Sequence, residues 1–283
     1  MEVYERFCKT ALSPSGLSDV DLTLNPYLGC EHGCKYCYAP FILHRDPEEW
    51  SKRIGVKINI VQILLRELKS GKAEGKAEGK TVSISTVTDG YQPIEGRYML
   101  TRKCLECLLR FNIGLSIQTK SSLVLRDLEI LKKFTSKEVG FTLTTLNEKH
   151  RKIYEPNSSP SMDRLKAIKV LKANGIKTFV FVGPVMPIFT FDKEFFKRIK
   201  EVEPDYVIVD RLRIKRGMEA NIKEIYRDFN YGPGELKQLE NRAREECERV
   251  GLNVLPEISI YKKLSFDTKN GKKWSTFKIG NNK

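Results

Sequence analysis

The stretch from Leu24 to Pro40, LNPYLGCEHGCKYCYAP, sets Cys30, Cys34 and Cys37 within eight residues. Thiolates that close repel one another unless a metal they share neutralises them, so the spacing reads as ligation in a reducing compartment and not as packing. An apolar run at 22–26 (LTLNP) precedes the triplet and reads as a β-strand. The cysteines then lie on the loop after a strand, where βα-built proteins carry their chemistry. A structural zinc site wants four ligands, usually as two separated pairs. This segment offers one compact triplet, which His32 or His44 could complete. Three thiolates on three irons of a 4Fe-4S cluster would instead leave one iron open for reaction, which accounts for the missing fourth ligand.

Outward from the triplet, short apolar runs alternate with segments of helical period. Strands are expected near 22–26, 81–87, 114–119, 139–145, 176–182 and 206–210. Helices are expected over 57–69, with Ile58, Val61, Leu64, Leu65 and Leu68 on one stripe, and over 97–111, 122–134, 163–174, 192–202 and 218–228. Such alternation predicts βα units around a parallel sheet. Six units are too few to close an eight-stranded barrel, so the fold class is α/β, a partial (β/α)6 TIM-like barrel. A further helix over 234–250 and a basic tail form a C-terminal helical and basic extension. The organisation is an N-terminal extension at 1–21, the barrel at 22–230 and the extension at 231–283. The run GKAEGKAEGK at 71–80 is low-complexity and joins a helix to a strand, so it reads as a surface loop away from the chemistry.

At 283 residues with 40% hydrophobic content the chain can bury a substantial core, which excludes disordered and disulfide-scaffold classes. It has no apolar run of about 18 residues, and the charged start MEVYERFCKT is unlike a secretory leader. A cytoplasmic protein without membrane association is expected. Fifty Lys and Arg against 36 Asp and Glu leave a formal charge of +14, a field that attracts polyanions.

The CX3CX2C spacing, with aromatic Tyr36 before the last cysteine, resembles the signature of the radical S-adenosylmethionine (radical SAM) superfamily. The segments LNPYLGCEHGCKYCYAP, STVTDGYQPIE, QTKSSLVLRD, TLTTLN with Glu155-Pro156, and Arg164-Leu165 before GIKTFVFVGPVMP resemble its spore photoproduct lyase-like branch. That resemblance implies a partial barrel of the radical SAM type, with a 4Fe-4S cluster on Cys30, Cys34 and Cys37. SAM would chelate the fourth iron and be cleaved reductively to a 5′-deoxyadenosyl radical that abstracts hydrogen from substrate. A ferredoxin or flavodoxin would supply the electron. Residue by residue, the resemblance places Tyr36 against adenine, and Tyr36 and Tyr38, flanking the last cysteine, at cofactor-side positions that assist a radical relay. Thr88 and Asp89 fall at the SAM methionine or ribose, Lys120 at the SAM carboxylate, and Thr142 where relatives have a serine near SAM. The branch places a hydrogen-donating cysteine three residues before Asp89. Here that residue is Thr86, whose O–H bond is too strong for the task.

Arg211, Arg213, Lys215 and Arg216 follow the last expected strand and should emerge at the cysteine-bearing mouth, either clamping phosphates with Tyr91 stacking a base or as a solvated loop. Lys262, Lys263, Lys272, Lys273 and Trp274 could extend that surface. Cys104 and Cys107 share a helix face with Leu100, Leu108 and Phe111 and read as core, a second cluster or redox pair being the rival. Cys8 and Cys247 read as structural and His150 as a surface residue. Three functions fit: radical SAM chemistry on nucleic acid, the same chemistry on a protein or small metabolite, and a zinc-stabilised nucleic-acid-binding module. An enclosed mouth would suit a monomer.

Overall fold

The structure, a computed structural model, describes residues 1–16, 20–70, 79–186, 191, 194–225, 232–256, 265–266 and 274–275. Most of the 71–80 insert, the start of the 192–202 helix, the end of the 218–228 helix and the four tail lysines lie outside these residues.

Two sheets organise the molecule. In the smaller, β1 (Glu2–Arg6) pairs parallel with β5 (Arg53–Lys57), which pairs antiparallel with β4 (Tyr27–Leu28). In the larger, β3 (Leu22–Leu24), β6 (Thr81–Ile84), β7 (Gly114–Thr119), β8 (Lys137–Thr142), β9 (Lys177–Val182) and β10 (Tyr206–Val209) lie side by side in that order, every pair parallel. The antiparallel β2 (Leu12–Pro14) closes the β3 edge, making seven strands. The six parallel strands are the six expected, in chain order, as an open partial barrel of βα units requires. Their apolar runs are buried on both faces because helices cover a parallel sheet: Val82, Ile84, Leu115, Ile117, Val139, Phe141, Val180 and Val207 all belong to one core.

The helices show where local pattern loses to tertiary contact. α1 is short (Ala39–Ile42), and α2 spans Ile60–Lys69 with Ile60, Ile63, Leu64 and Leu68 as its buried stripe. The expected helix at 57–69 therefore starts late and Ile58 is exposed, because residues 53–57 pair with β1 across Glu2↔Arg53. The expected helix at 97–111 divides into α3 (Glu95–Tyr98) and α4 (Leu100–Leu108) at Met99, which has φ 52°. The cause is Glu95, whose buried carboxylate accepts the Thr101 N–H at 2.9 Å and the Arg102 N–H at 3.2 Å and so starts a new helix. Cys104 and Cys107 of α4 are buried in the main core, as the sequence suggests.

The 122–134 segment is a 3-10 turn, Ser122–Asp127, followed by α5 (Leu128–Leu131). The remaining helices are α6 (Glu148–Tyr154), α7 (Ser161–Ala173), α8 (Phe195–Lys200), α9 (Glu219–Ile225) and α10 (Pro233–Arg249). Residues 1–16 are woven into both sheets through β1 and β2, and in the tail β11 (Ser265–Phe266) pairs with β12 (Trp274–Ser275). None of the described helices is long and apolar enough to cross a membrane.

Candidate functional site at the carboxyl ends of the parallel strands

The cysteine loop does not follow β3 directly; the chain first joins the smaller sheet as β4 and enters the loop from there. Gly29 makes the entry with φ +82°, and a Cβ on it would lie 2.7 Å from the Arg53 carbonyl oxygen and 2.8 Å from that of Trp50. Only glycine fits that approach. Cys30 N–H then donates to the Trp50 carbonyl at 3.1 Å. On its other side the loop is strapped to the chain after α6. Lys35 N–H donates to the Tyr154 carbonyl at 3.0 Å, and Asn157 Nδ2 donates to the Glu31 carbonyl at 2.7 Å.

Burial pushes all three thiols up, Cys30 well above the ordinary range and Cys34 up to about 12. The neighbouring cysteines raise Cys30 further, while the Lys120 ammonium pulls Cys34 and Cys37 down. The His32 amide at Cys30 and the Ala39 amide at Cys37 favour the thiolates. Among the described residues no three Cys, His, Asp or Glu side chains converge on one ion-sized point. His32, a candidate fourth zinc ligand, is committed elsewhere, and His44 is exposed. Separate thiols on one loop, with amides and a cation beside them, suit a cluster that takes one thiolate per iron.

Asp89, beyond the end of β6, is the hub of the strand-end network. Its carboxylate accepts from Thr119 Oγ1, Lys120 N and Tyr91 N, each at 2.8 Å, and His32 Nε2 lies 3.0 Å away. Burial opposes its ionisation, but His32 and the two amides outweigh burial and hold the carboxyl well below the usual carboxylate range. His32 Nδ1 lies 3.0 Å from the Asn157 carbonyl oxygen, so the ring sits between Asp89 and Asn157. Asp89 therefore fixes two things at once, the cysteine loop through His32 and the end of β7 through Lys120.

Lys120 extends from that strand end to within 5.8 Å of the Tyr36 ring centroid. Burial lowers its pKa, yet Cys34, Glu155 and Asp89 raise it more, so it stays an ammonium. The hydroxyl of buried Tyr36 donates to Glu155 Oε1, which also accepts from Thr144 Oγ1 at 3.1 Å. Glu155 Oε2 is paired with Arg164 Nη2 at 2.6 Å, both side chains being almost fully buried. Arg164 Nη1 donates to the Thr142 carbonyl at 2.8 Å, and Thr142 Oγ1 accepts from Gln118 Nε2 at 3.1 Å. Thr88 Oγ1 donates to Asn25 Oδ1 at 3.4 Å, and Tyr38, exposed at the mouth, donates to the Thr86 carbonyl at 3.2 Å. Thr86 Oγ1 shares a 3.1 Å hydrogen bond with Thr23 Oγ1.

Cys30, Cys34, Cys37, Tyr36, Asp89 and Lys120 thus meet in one network. Tyr38 sits on its rim and Thr142 joins it through Arg164, whereas Thr88 is bonded to Asn25 and not to any of these six. Roles for His32, Asn157 and the Glu155–Arg164 pair are additions from the structure; the sequence marked Glu155 and Arg164 only as motif letters.

The basic segment after β10 is less open than expected. Arg211 pairs with Glu240 of α10 at 2.8 Å and Arg213 with Asp210 at 2.9 Å, leaving Lys215 and Arg216 as its exposed cations. It does adjoin the cysteine loop, since a Cβ on Gly217 would lie 3.3 Å from the Phe41 ring. Tyr36, Met186, Leu212, Met218, Ile222 and Leu236 form a second apolar cluster that packs against Cys34 and Phe41. Tyr91, proposed as a stacking residue, is buried with its hydroxyl on Asp127 at 3.2 Å and is not available for a base.

An α/β fold with three cysteines on a loop at the carboxyl edge of six parallel strands defines the class. Residues 24–202 match the model of the radical SAM superfamily, and the chain belongs to that family. It is 35% identical to an uncharacterised protein of Methanocaldococcus jannaschii, over 66% of this chain and 69% of that one. It is 30% identical to an uncharacterised protein of Mycobacterium tuberculosis over 69% of this chain, spanning 59% of that relative's length. A radical SAM Nalpha-GlyT isomerase of Pseudomonas phage M6 is 25% identical over 82% of this chain and 45% of its own. Among solved structures, spore photoproduct lyase with bound AdoMet and dinucleoside spore photoproduct superposes with TM-score 0.68 at 17% identity, covering 89% of this chain and 80% of that one. SuiB of Streptococcus suis bound to S-adenosylmethionine superposes with TM-score 0.54 at 15% identity, covering 82% and 45%. These likenesses establish the radical SAM α/β fold, and the family implies a 4Fe-4S cluster and SAM.

Proposed function

We propose that Cys30, Cys34 and Cys37 hold a 4Fe-4S cluster, that SAM binds between the cluster and Lys120, and that the enzyme acts on nucleic acid. When bound, the cluster and SAM together supply a 5′-deoxyadenosyl radical that abstracts hydrogen from substrate. The observation that carries the reading is the convergence of three thiols, the Lys120 ammonium and the Tyr36 ring at one strand edge. Lys120 offers a fixed cation to the SAM carboxylate. Tyr36, held by its hydroxyl on Glu155, offers a ring to adenine. Thr88 and Thr142 offer hydroxyls at the ends of neighbouring strands, and Asp89 acts through Lys120 and His32 by holding them in place. The apolar cluster around Met186 and Met218 covers Cys34 and Tyr36 and keeps water from them.

Nucleic acid is favoured as substrate by the net charge of +14, by Lys215 and Arg216 on the rim, and by the dinucleoside held by spore photoproduct lyase. The reaction differs from that enzyme's in its hydrogen-return step, because Thr86 stands where the branch has its donor cysteine. Binding of single-stranded and duplex DNA and of RNA, followed by fluorescence anisotropy across a salt series, tests the substrate class. Affinity should be tightest at low salt, and replacing Lys215 and Arg216 together by Ala should reduce the log–log salt slope by about 2. No binding at low salt, with SAM still cleaved, would move the substrate to a protein side chain or a metabolite.

A further inference from the structure

Trp50 lies beside the cysteine loop and takes no part in the chemistry described above. It is buried, and its carbonyl accepts the Cys30 N–H at 3.1 Å. Gly29 packs against that same carbonyl, so the backbone of Trp50 is fixed relative to the first cysteine. Its indole Nε1 is sealed from solvent and meets no acceptor in hydrogen-bonding geometry. An indole nitrogen can only donate, and a buried donor without an acceptor is costly and rare. The group beside it is the Cys37 thiol, which adjoins the indole N–H without meeting it in ordinary hydrogen-bonding geometry. A neutral thiol is a weak acceptor, whereas a thiolate bound to iron carries charge and accepts strongly.

We propose that Trp50 is a positioning residue whose indole N–H donates to the Cys37 thiolate of the loaded cluster and thereby sets the potential at which the cluster accepts its electron. The inference rests on the reading that the three cysteines hold an iron–sulfur cluster. Hydrogen bonds to cluster sulfurs favour the reduced, more negative state and raise the reduction potential. The backbone amides of His32 and Ala39 also donate at the thiols, and substitution leaves these in place. Trp50 is a side chain through which the potential can be adjusted.

The test compares the anaerobically reconstituted protein with Trp50→Phe by redox titration followed by electron paramagnetic resonance. With iron and sulfide content unchanged, Trp50→Phe should disfavour reduction roughly tenfold, a fall of about 59 mV for a one-electron couple. An unchanged midpoint in a cluster-loaded variant overturns the proposal. A second measurement removes any dependence on how that variant folds. The chain has two tryptophans, so Trp274→Phe leaves Trp50 as its one indole, which can be labelled with 15N. Electron–nuclear double resonance of the reduced cluster should then show a coupled 15N and an exchangeable proton, and their absence also overturns the proposal. Failure of the unaltered protein to assemble any cluster would overturn the underlying ligand assignment, and this inference with it.

Discussion

Lys120 is the residue on which the proposed SAM site turns. Its ammonium survives burial because Cys34, Glu155 and Asp89 surround it, and its main chain is pinned by Asp89 at 2.8 Å. Lys120→Ala should leave iron and sulfide content unchanged and weaken SAM binding about 10–100-fold, the worth of one charge-assisted hydrogen bond. Equilibrium dialysis of the reconstituted variant reads this directly, and unchanged affinity would remove Lys120 from the site. The cysteine triplet was legible because spacing is a local feature, and Lys120 entered through the family resemblance, which places it at the end of a strand. The Glu155–Arg164 pair was not, because its meaning comes from burial: two charges nine residues apart become the brace for Tyr36 and Thr142 only after α7 packs onto the sheet.

At the scale of elements, the six parallel strands could be read from apolar runs, and their order follows from βα connectivity. What could not be read is the smaller sheet. Its pairing of β1 with β5 joins residues about fifty positions apart, and it takes Lys57, the first residue of an expected helix, into strand. That sheet matters to the site because it delivers the chain to Gly29. Gly29→Ala would place a Cβ 2.7 Å from one backbone oxygen and 2.8 Å from another, at φ +82°. The left-handed conformation alone costs about 1–2 kcal/mol with a side chain. The variant should melt at lower temperature and retain less iron per chain, because relief of the clash must move Cys30. A variant with normal melting and full iron content would show that the loop entry is not constrained as described.

For the whole molecule, the network that builds the site also couples its integrity to acid. Burial alone would raise the Glu155 carboxyl, but Arg164 and Lys120 outweigh it and hold it at about 2, against an ordinary value of 4.5. A depressed carboxyl contributes its full stability above the ordinary value and loses it as pH falls toward the folded one. The urea midpoint of the apoprotein should therefore fall between pH 4.5 and pH 2, and Glu155→Gln should flatten part of that fall. An identical pH profile in Glu155→Gln would contradict the ion-paired state of Glu155. The basic character of the chain was legible in its composition, but its distribution was not, since Arg211 and Arg213 are tied to Glu240 and Asp210 by the way α10 and the loop after β10 fold together. The central claim, radical SAM chemistry on the three-cysteine loop, is tested most directly by anaerobic reconstitution with iron and sulfide, then chromatography for 5′-deoxyadenosine from SAM and a strong reductant. The account predicts 5′-deoxyadenosine from the unaltered protein and none from Cys34→Ala, which should also lose the cluster absorbance. Cleavage that persists in Cys34→Ala, or a protein that takes up zinc in place of iron and sulfide, would contradict it.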